Sequence, residues 1–235
     1  MIKCLFLVEG PYDKQRLSLL CDLFDSNKIE IFPFGCDMLT EKDYFNNYTN
    51  EIKAVLNKEK TFAIEDFNYI VQVCDLDGCF ISDECVIENK NINKIIYHSD
   101  YIEVIDKNSI VSRNQIKVDN IDRLLNNDNI QLYFNSSNID HVFDNIQNPS
   151  SGQKKNGAIN MYSKYKEKPK ELLLELFNLN TINATSLESS WREIRKDYNS
   201  LSRCTNLIFF IDYFQEFLKE DIRIEYSKLK LKNQI

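Results

Sequence analysis

With 235 residues, 43% of them hydrophobic and 12% aromatic, the chain can fill one good core, or a core plus a helical extension, and it shows no long disordered tract. Its net charge of −7 lacks the strongly basic footprint of many nucleic-acid binders, yet residues 1–150 carry 14 basic and 25 acidic side chains (−11) against 15 and 11 (+4) in residues 151–235. Seven cysteines without a C-x-x-C pair, beside only two histidines, exclude zinc-site spacing, and an odd cysteine count with no signal segment points to a reducing cytoplasm.

The apolar run Cys4–Val8 predicts a buried strand, too short to cross a membrane and closed by Glu9. Gly10 and Pro11 make the turn, and Leu17, Leu20, Cys21 and Phe24 recur at helical spacing, predicting an amphipathic helix over 12–25. Ile29 to Phe32 reads as a short strand stopped by Pro33 and Gly35. Glu41 to Leu56 reads as a helix with Tyr44, Tyr48, Ile52, Val55 and Leu56 on its apolar face. A second apolar strand, Tyr69–Cys74, runs into Asp75-Leu76-Asp77-Gly78. This βαβαβ order implies right-handed crossovers and a parallel sheet.

Strands are expected at Ile95–His98, Tyr101–Ile105 and Ile110–Val111, with 106–109 as a hairpin turn. Ile130–Phe134 predicts one more, followed by a short helix capped by Ser137 or Asn138. Pro149–Gly157 reads as a linker or mobile loop, which divides the chain into 1–148 and 149–235. The second part predicts helices over Lys170–Leu179, Ser186–Asp197 and Leu201–Lys219. The last holds the apolar run 207–211, and Lys228–Lys232 reads as a fraying tail.

Two strands that each end in carboxylates suggest a metal site. Ligands of open parallel sheets collect at the carboxyl ends of the strands, and alternation along a strand sends Asp75 and Asp77 to one side. Crowded carboxylates are costly without a cation, and an all-oxygen set suits magnesium or manganese. The plainer readings are that Glu9 caps the following helix, that Asp75 and Asp77 form a solvated turn, and that Asp13 favours the positive end of its helix.

E-G-x-x-D (Glu9, Gly10, Asp13) closing the first strand and D-x-D (Asp75, Asp77) closing a later one resemble the Toprim domain of topoisomerases, primases, maturases and the overcoming-lysogenization-defect (OLD) nucleases. The run Phe6–Asp13 with Leu17 is closest in style to the OLD branch, and the resemblance covers about the first 140 residues. It implies an α/β fold with an open, mainly parallel sheet flanked by helices, here with a helical C-terminal extension. It further implies a metal-dependent endonuclease acting on DNA, RNA or tRNA, with Glu9, Asp75 and Asp77 as catalytic residues. Glu9 would act in proton transfer or hold metal, and Asp13 joins the other three in binding Mg²⁺ or Mn²⁺. OLD nucleases usually carry an ATPase on the same chain. No G-x-x-x-x-G-K-[ST] loop is present, so the resemblance suggests a phage-defence effector controlled by an ATPase partner in trans.

Lys14, Arg16, Lys154, Lys155, Arg192, Arg195 and Arg203 are candidate phosphate contacts, with a solvated basic face as the plainer reading. No role is assigned to His98 or His141, and an oligomer is compatible with the sequence. Two rival classes remain. Asp75-Leu76-Asp77-Gly78 also resembles the D-x-D-G-T nucleophile motif of haloacid-dehalogenase-like phosphatases, with Asp75 attacking phosphorus. Against it, Cys79-Phe80 stand at the threonine and aliphatic positions, the motif is on the third strand, and no later G-D-x-x-x-D occurs. The other rival is a non-catalytic interaction module.

Overall fold

Side chains alternate in direction along a strand, and the first strand uses both directions for packing. In β1 (Ile2–Val8), Cys4, Phe6 and Val8 join one buried apolar cluster while Leu5 and Leu7 join another. A strand buried on both faces belongs in the middle of a sheet covered by helices, and that is where the computed structural model places it. The structure describes residues 1–36, 39–42, 44–59 and 62–233.

After β1 come α1 (Pro11–Leu17), a 3₁₀ segment (Ser18–Leu23), β2 (Ile29–Gly35), α2 (Tyr44–Glu59) and β3 (Tyr69–Asp75). A small sheet follows from β4 (Val86–Glu88), β5 (Ile96–Tyr97) and β6 (Ile102–Val104), then α3 (Lys107–Leu125) and β7 (Ile130–Asn135). The remainder is helical: α4 (Ile139–Asp144), α5 (Ser151–Tyr165), α6 (Pro169–Asn178), α7 (Leu187–Ile194), α8 (Ile208–Tyr213) and α9 (Glu220–Asn233).

The main sheet has the order β2-β1-β3-β7 and is parallel throughout. This is an α/β architecture with an open parallel sheet flanked by helices, as expected. From β1 the chain first adds β2 on one side, then returns to add β3 on the other. The topological switch point therefore lies between β1 and β3, and at such a point the crevice outside the carboxyl ends is open to ligands. One sheet face packs against the 3₁₀ segment and residues of α5, α6, α8 and α9, including Met161, Leu173, Phe210 and Ile222. The other packs against α2, α3 and α7 through Ile52, Ile121 and Ile194.

Several expectations are corrected. β2 runs through Pro33 to Gly35, because β2 is an edge strand, where a missing N–H can face away from the sheet. The helix expected over 12–25 tightens into the 3₁₀ segment after Leu17. Ile110 and Val111 are in α3, and Asp106, expected in a turn, is its N-cap, accepting from the Ser109 N–H at 3.1 Å. The linker expected over 149–157 is the start of α5, set by a capping box in which Ser150 and Gln153 each accept the other's N–H. Residues on both sides of the 148/149 division share one apolar cluster.

A single helix over 201–219 does not form. The Thr205 hydroxyl donates to the Phe134 carbonyl at 2.7 Å, and Asn206 Oδ1 accepts the Phe134 N–H at 2.7 Å. This stretch satisfies the edge of β7 before α8 begins. The expected tail is part of α9, where Lys230 binds Asp212 and Tyr226 is buried. The side chain of Tyr44, expected on the apolar face of α2, lies outside the described residues. Among the described residues no helix is long and apolar enough to cross a membrane.

Candidate active site

β1 and β3 deliver their terminal acids to one place. Glu9 follows the last residue of β1, and its Oε1 accepts the Asp75 backbone N–H at 3.1 Å. A cavity of about 280 Å³ opens there, lined by Glu9, Gly10, Asp13, Asp75 and Asp77. Lys94, Tyr97, Asn138, Asn148 and Lys154 also line it.

The two aspartates of the D-x-D segment have different surroundings. The strand ends at Asp75, so alternation no longer governs Asp77, which has φ 53° and is followed by Gly78 at φ 69°. This left-handed pair turns the chain along the end of β7, with Asp77 N–H donating to the Ser137 carbonyl at 2.9 Å. Asp75 Oδ1 accepts from Asn135 Nδ2 at 3.0 Å. Asp77 instead meets two residues the sequence reading did not single out: Lys117 Nζ at 2.9 Å from Oδ2, and Tyr97 Oη at 3.2 Å from Oδ1. The same ammonium lies 3.6 Å from Glu9 Oε1. The expectation that the two aspartates project together by strand alternation is thus corrected, although both line the cavity.

Asp13 does what its plainer reading says and more. Its Oδ2 accepts the Gly10 N–H at 2.8 Å, closing the start of α1, while the carboxylate faces the cavity. Burial raises its pKa against the pull of that N–H. Asp75 is pushed well above the usual carboxylate range, first by burial and then by the charges of Asp13, Glu9 and Asp77. Burial also works upward on Asp77, but Lys117 and then Arg113 outweigh it and hold that carboxyl below its ordinary value. For Lys117 burial alone would favour the neutral amine; Asp77 and then Glu9 keep it protonated, well above the usual lysine range.

Lys117 is 1% exposed and comes from α3. The sequence held a signal for it. Ile110, Asn114, Lys117, Ile121 and Leu124 recur at helical spacing, so an amide and a charge stand on an otherwise apolar stripe. Tyr97 is carried by the small sheet, which Asn148 clamps in place by accepting the Tyr97 N–H at 2.8 Å and donating to its carbonyl at 2.9 Å.

Of the basic candidates, Lys154 lines the cavity, while Lys14, Lys155, Arg192 and Arg195 are not among its lining residues. Lys14 lies over the Phe34 ring, Arg192 near Glu193, and Arg195 binds Asp122 and stacks on Phe80. Arg203 donates to the Val142 carbonyl at 2.8 Å. Arg16 is corrected outright: fully buried between Asp140 and Asp144, it has no exposed surface for a phosphate.

Crowded oxygen donors of Glu9, Asp13 and Asp75 are the chemistry a hard divalent cation prefers, and a cation would relieve the repulsion that raises Asp75. By donor chemistry alone these three suit such an ion. Asp77 fits less well, since both its oxygens have protein partners. Among the described residues no group of three or more acidic, thiol or imidazole side chains is placed to hold an ion. Set beside models of protein families, curated proteins and solved structures, the chain matches none of them, so its function is read from the cavity itself.

Proposed function

We propose that the chain is a Mg²⁺- or Mn²⁺-dependent nuclease of Toprim type, with Glu9, Asp13 and Asp75 as the carboxylates that hold the ion. The observation that carries this reading is the meeting of Glu9 and Asp75 at the switch point of the parallel sheet, joined by the 3.1 Å contact from the Asp75 N–H to Glu9 Oε1. A bound divalent ion would polarise the phosphoryl oxygens and lower the pKa of an attacking water. Glu9, steadied by that N–H and by Lys117, is placed to accept a proton at its carboxylate. Lys94 and Lys154, which line the same cavity, would supply positive charge for the phosphates of a nucleic-acid strand. Seven free cysteines support a reducing cytoplasm as its location. A phage-defence role under an ATPase partner is proposed on the OLD resemblance alone.

The phosphatase alternative needs Asp77 to manage the leaving-group proton, and the Lys117 and Tyr97 contacts on its two oxygens count against that. The test is a cleavage assay with Mg²⁺ or Mn²⁺ on DNA, RNA and tRNA, comparing the wild type with Glu9→Ala. Cleavage that vanishes in the variant supports the nuclease. Hydrolysis of a small phosphoester alone supports the phosphatase, and neither activity leaves an interaction module.

A further inference from the structure

One side of α5 is packed and the other is not. Ala158, Met161 and Tyr165 are buried, and the last two join the core. The open side carries Lys155, Ile159, Tyr162 and Lys166 at steps of four, three and four, which sets them on one stripe about 16 Å long. The Lys166 N–H still donates to the Tyr162 carbonyl at 3.0 Å, so the last turn of the stripe stays helical. All four residues are exposed, Ile159 by 44% and Tyr162 by 39%. Lys166 Nζ lies 5.2 Å from the centre of the Tyr162 ring.

The charge of the chain is concentrated here. Residues 154–170 hold six lysines and one acid, Glu167, while the rest of the chain carries 23 basic and 35 acidic side chains (−12). Lys168 and Lys170 are paired with Glu171 and Asp221. Lys154, Lys155 and Lys166 take no part in the ion pairs of the described residues. Lysines left open on an otherwise acidic molecule attract a polyanion. The exposed ring between them narrows the choice, because the unstacked bases of a single strand lie on aromatic side chains while cations track the backbone. A duplex offers no free base face. A membrane-surface helix would need a broader apolar face than Ile159 and Tyr162 provide. The stripe also starts one residue from Lys154, which lines the cavity.

We propose that this face of α5 is a track for a single-stranded segment of nucleic acid, with Tyr162 stacking on a base and Lys155 and Lys166 each holding a phosphate. It takes its ligand from the nuclease reading above, and adds the path by which a strand reaches the cavity.

The experiment measures binding of a fluorescein-labelled oligothymidylate to the full-length chain by fluorescence anisotropy, in EDTA and over a range of salt concentrations. The wild type is expected to bind this strand more tightly than its duplex with oligoadenylate. Tyr162→Ala is expected to weaken strand binding about 5–100-fold, with Tyr162→Phe close to the wild type. The double variant Lys155→Gln/Lys166→Gln is expected to flatten the dependence of log affinity on log salt by about 1.4. Lys53→Gln on α2, against the other sheet face, serves as the control and keeps the wild-type affinity. Circular dichroism establishes that each variant folds. No strand binding by the wild type, equal binding of strand and duplex, or wild-type affinity in both folded Tyr162→Ala and the lysine pair overturns the track. Phosphatidylserine vesicles that bind the wild type but not Tyr162→Ala, with no strand binding, overturn it in favour of a membrane surface. EDTA removes divalent ions, so these results stand apart from the cleavage assay. Strand binding on the stripe without Glu9-dependent cleavage supports the track and overturns the nuclease.

Discussion

Arg16 shows how a single residue can be mistaken for a ligand contact when it is a structural tie. It lies on α1, one turn after Asp13, with 0% exposure. Its Nη2 lies 2.6 Å from Asp140 Oδ1 and 2.6 Å from Asp144 Oδ2, two acids one turn apart on α4, and Nη1 donates to the Ile139 carbonyl at 3.4 Å. Removing one partner of a buried ion pair leaves the other charged and desolvated. Arg16→Met is therefore expected to destabilise the fold by about 3–5 kcal/mol, read from urea unfolding. A change within about 0.5 kcal/mol, as for a neutral surface site, would show that the tie contributes nothing. The same side chain fixes α1, and with it Asp13, against α4, so the residue acts on the cavity only through the frame.

At the scale of elements, α5 is shaped by that tie. Alanine normally replaces glycine inside a helix with a gain of about 1 kcal/mol. Gly157 is an exception, because a methyl group there would overlap Arg16 Nη2 and Asp144 Oδ2. Gly157→Ala is expected to lower stability by about 1–3 kcal/mol, and a melting temperature that rises instead would contradict the packing. Elements were legible in the sequence where a period ran long enough to stand alone. β1, β3 and β7 were plain, as were α6 and α7, because each pairs an apolar pattern with a clear stop. α3 was missed because Asn114 and Lys117, both buried, interrupt its apolar stripe. The helix expected over 201–219 failed because Thr205 and Asn206 satisfy the backbone of β7, a tertiary demand that local periodicity does not encode. For the site, Glu9, Asp75 and Asp77 could be read from strand ends, and Asp13 from the E-G-x-x-D pattern that follows the first. Lys117 left only a trace, a charge on the apolar stripe of α3, and Tyr97 left none, since both reach Asp77 from elements 20 or more positions away along the chain.

Across the whole molecule, the sheet depends on helices from both ends of the chain. Phe6 lies against Phe210 with ring centroids 5.2 Å apart, and Tyr133 meets the same ring at 5.7 Å. A fragment ending at residue 148 would leave this sheet face, including Val71 and Val73, open to water. It is expected to lose the near-ultraviolet circular dichroism and cooperative melting of the full chain, and a fragment that melts cooperatively would contradict the shared core. The same sheet unites the two acid-bearing strands, and the central claim is that their carboxylates work on one phosphate. The most direct measurement is the Mn²⁺-supported rate of nucleic-acid cleavage by wild type, Glu9→Gln, Asp75→Asn and the double variant. Residues acting as a unit lose their effect together, so each single change is expected to slow cleavage by roughly 10²–10⁴-fold and the double to cost little more. Losses that multiply in the double variant, or single variants that cut at the wild-type rate, would contradict it.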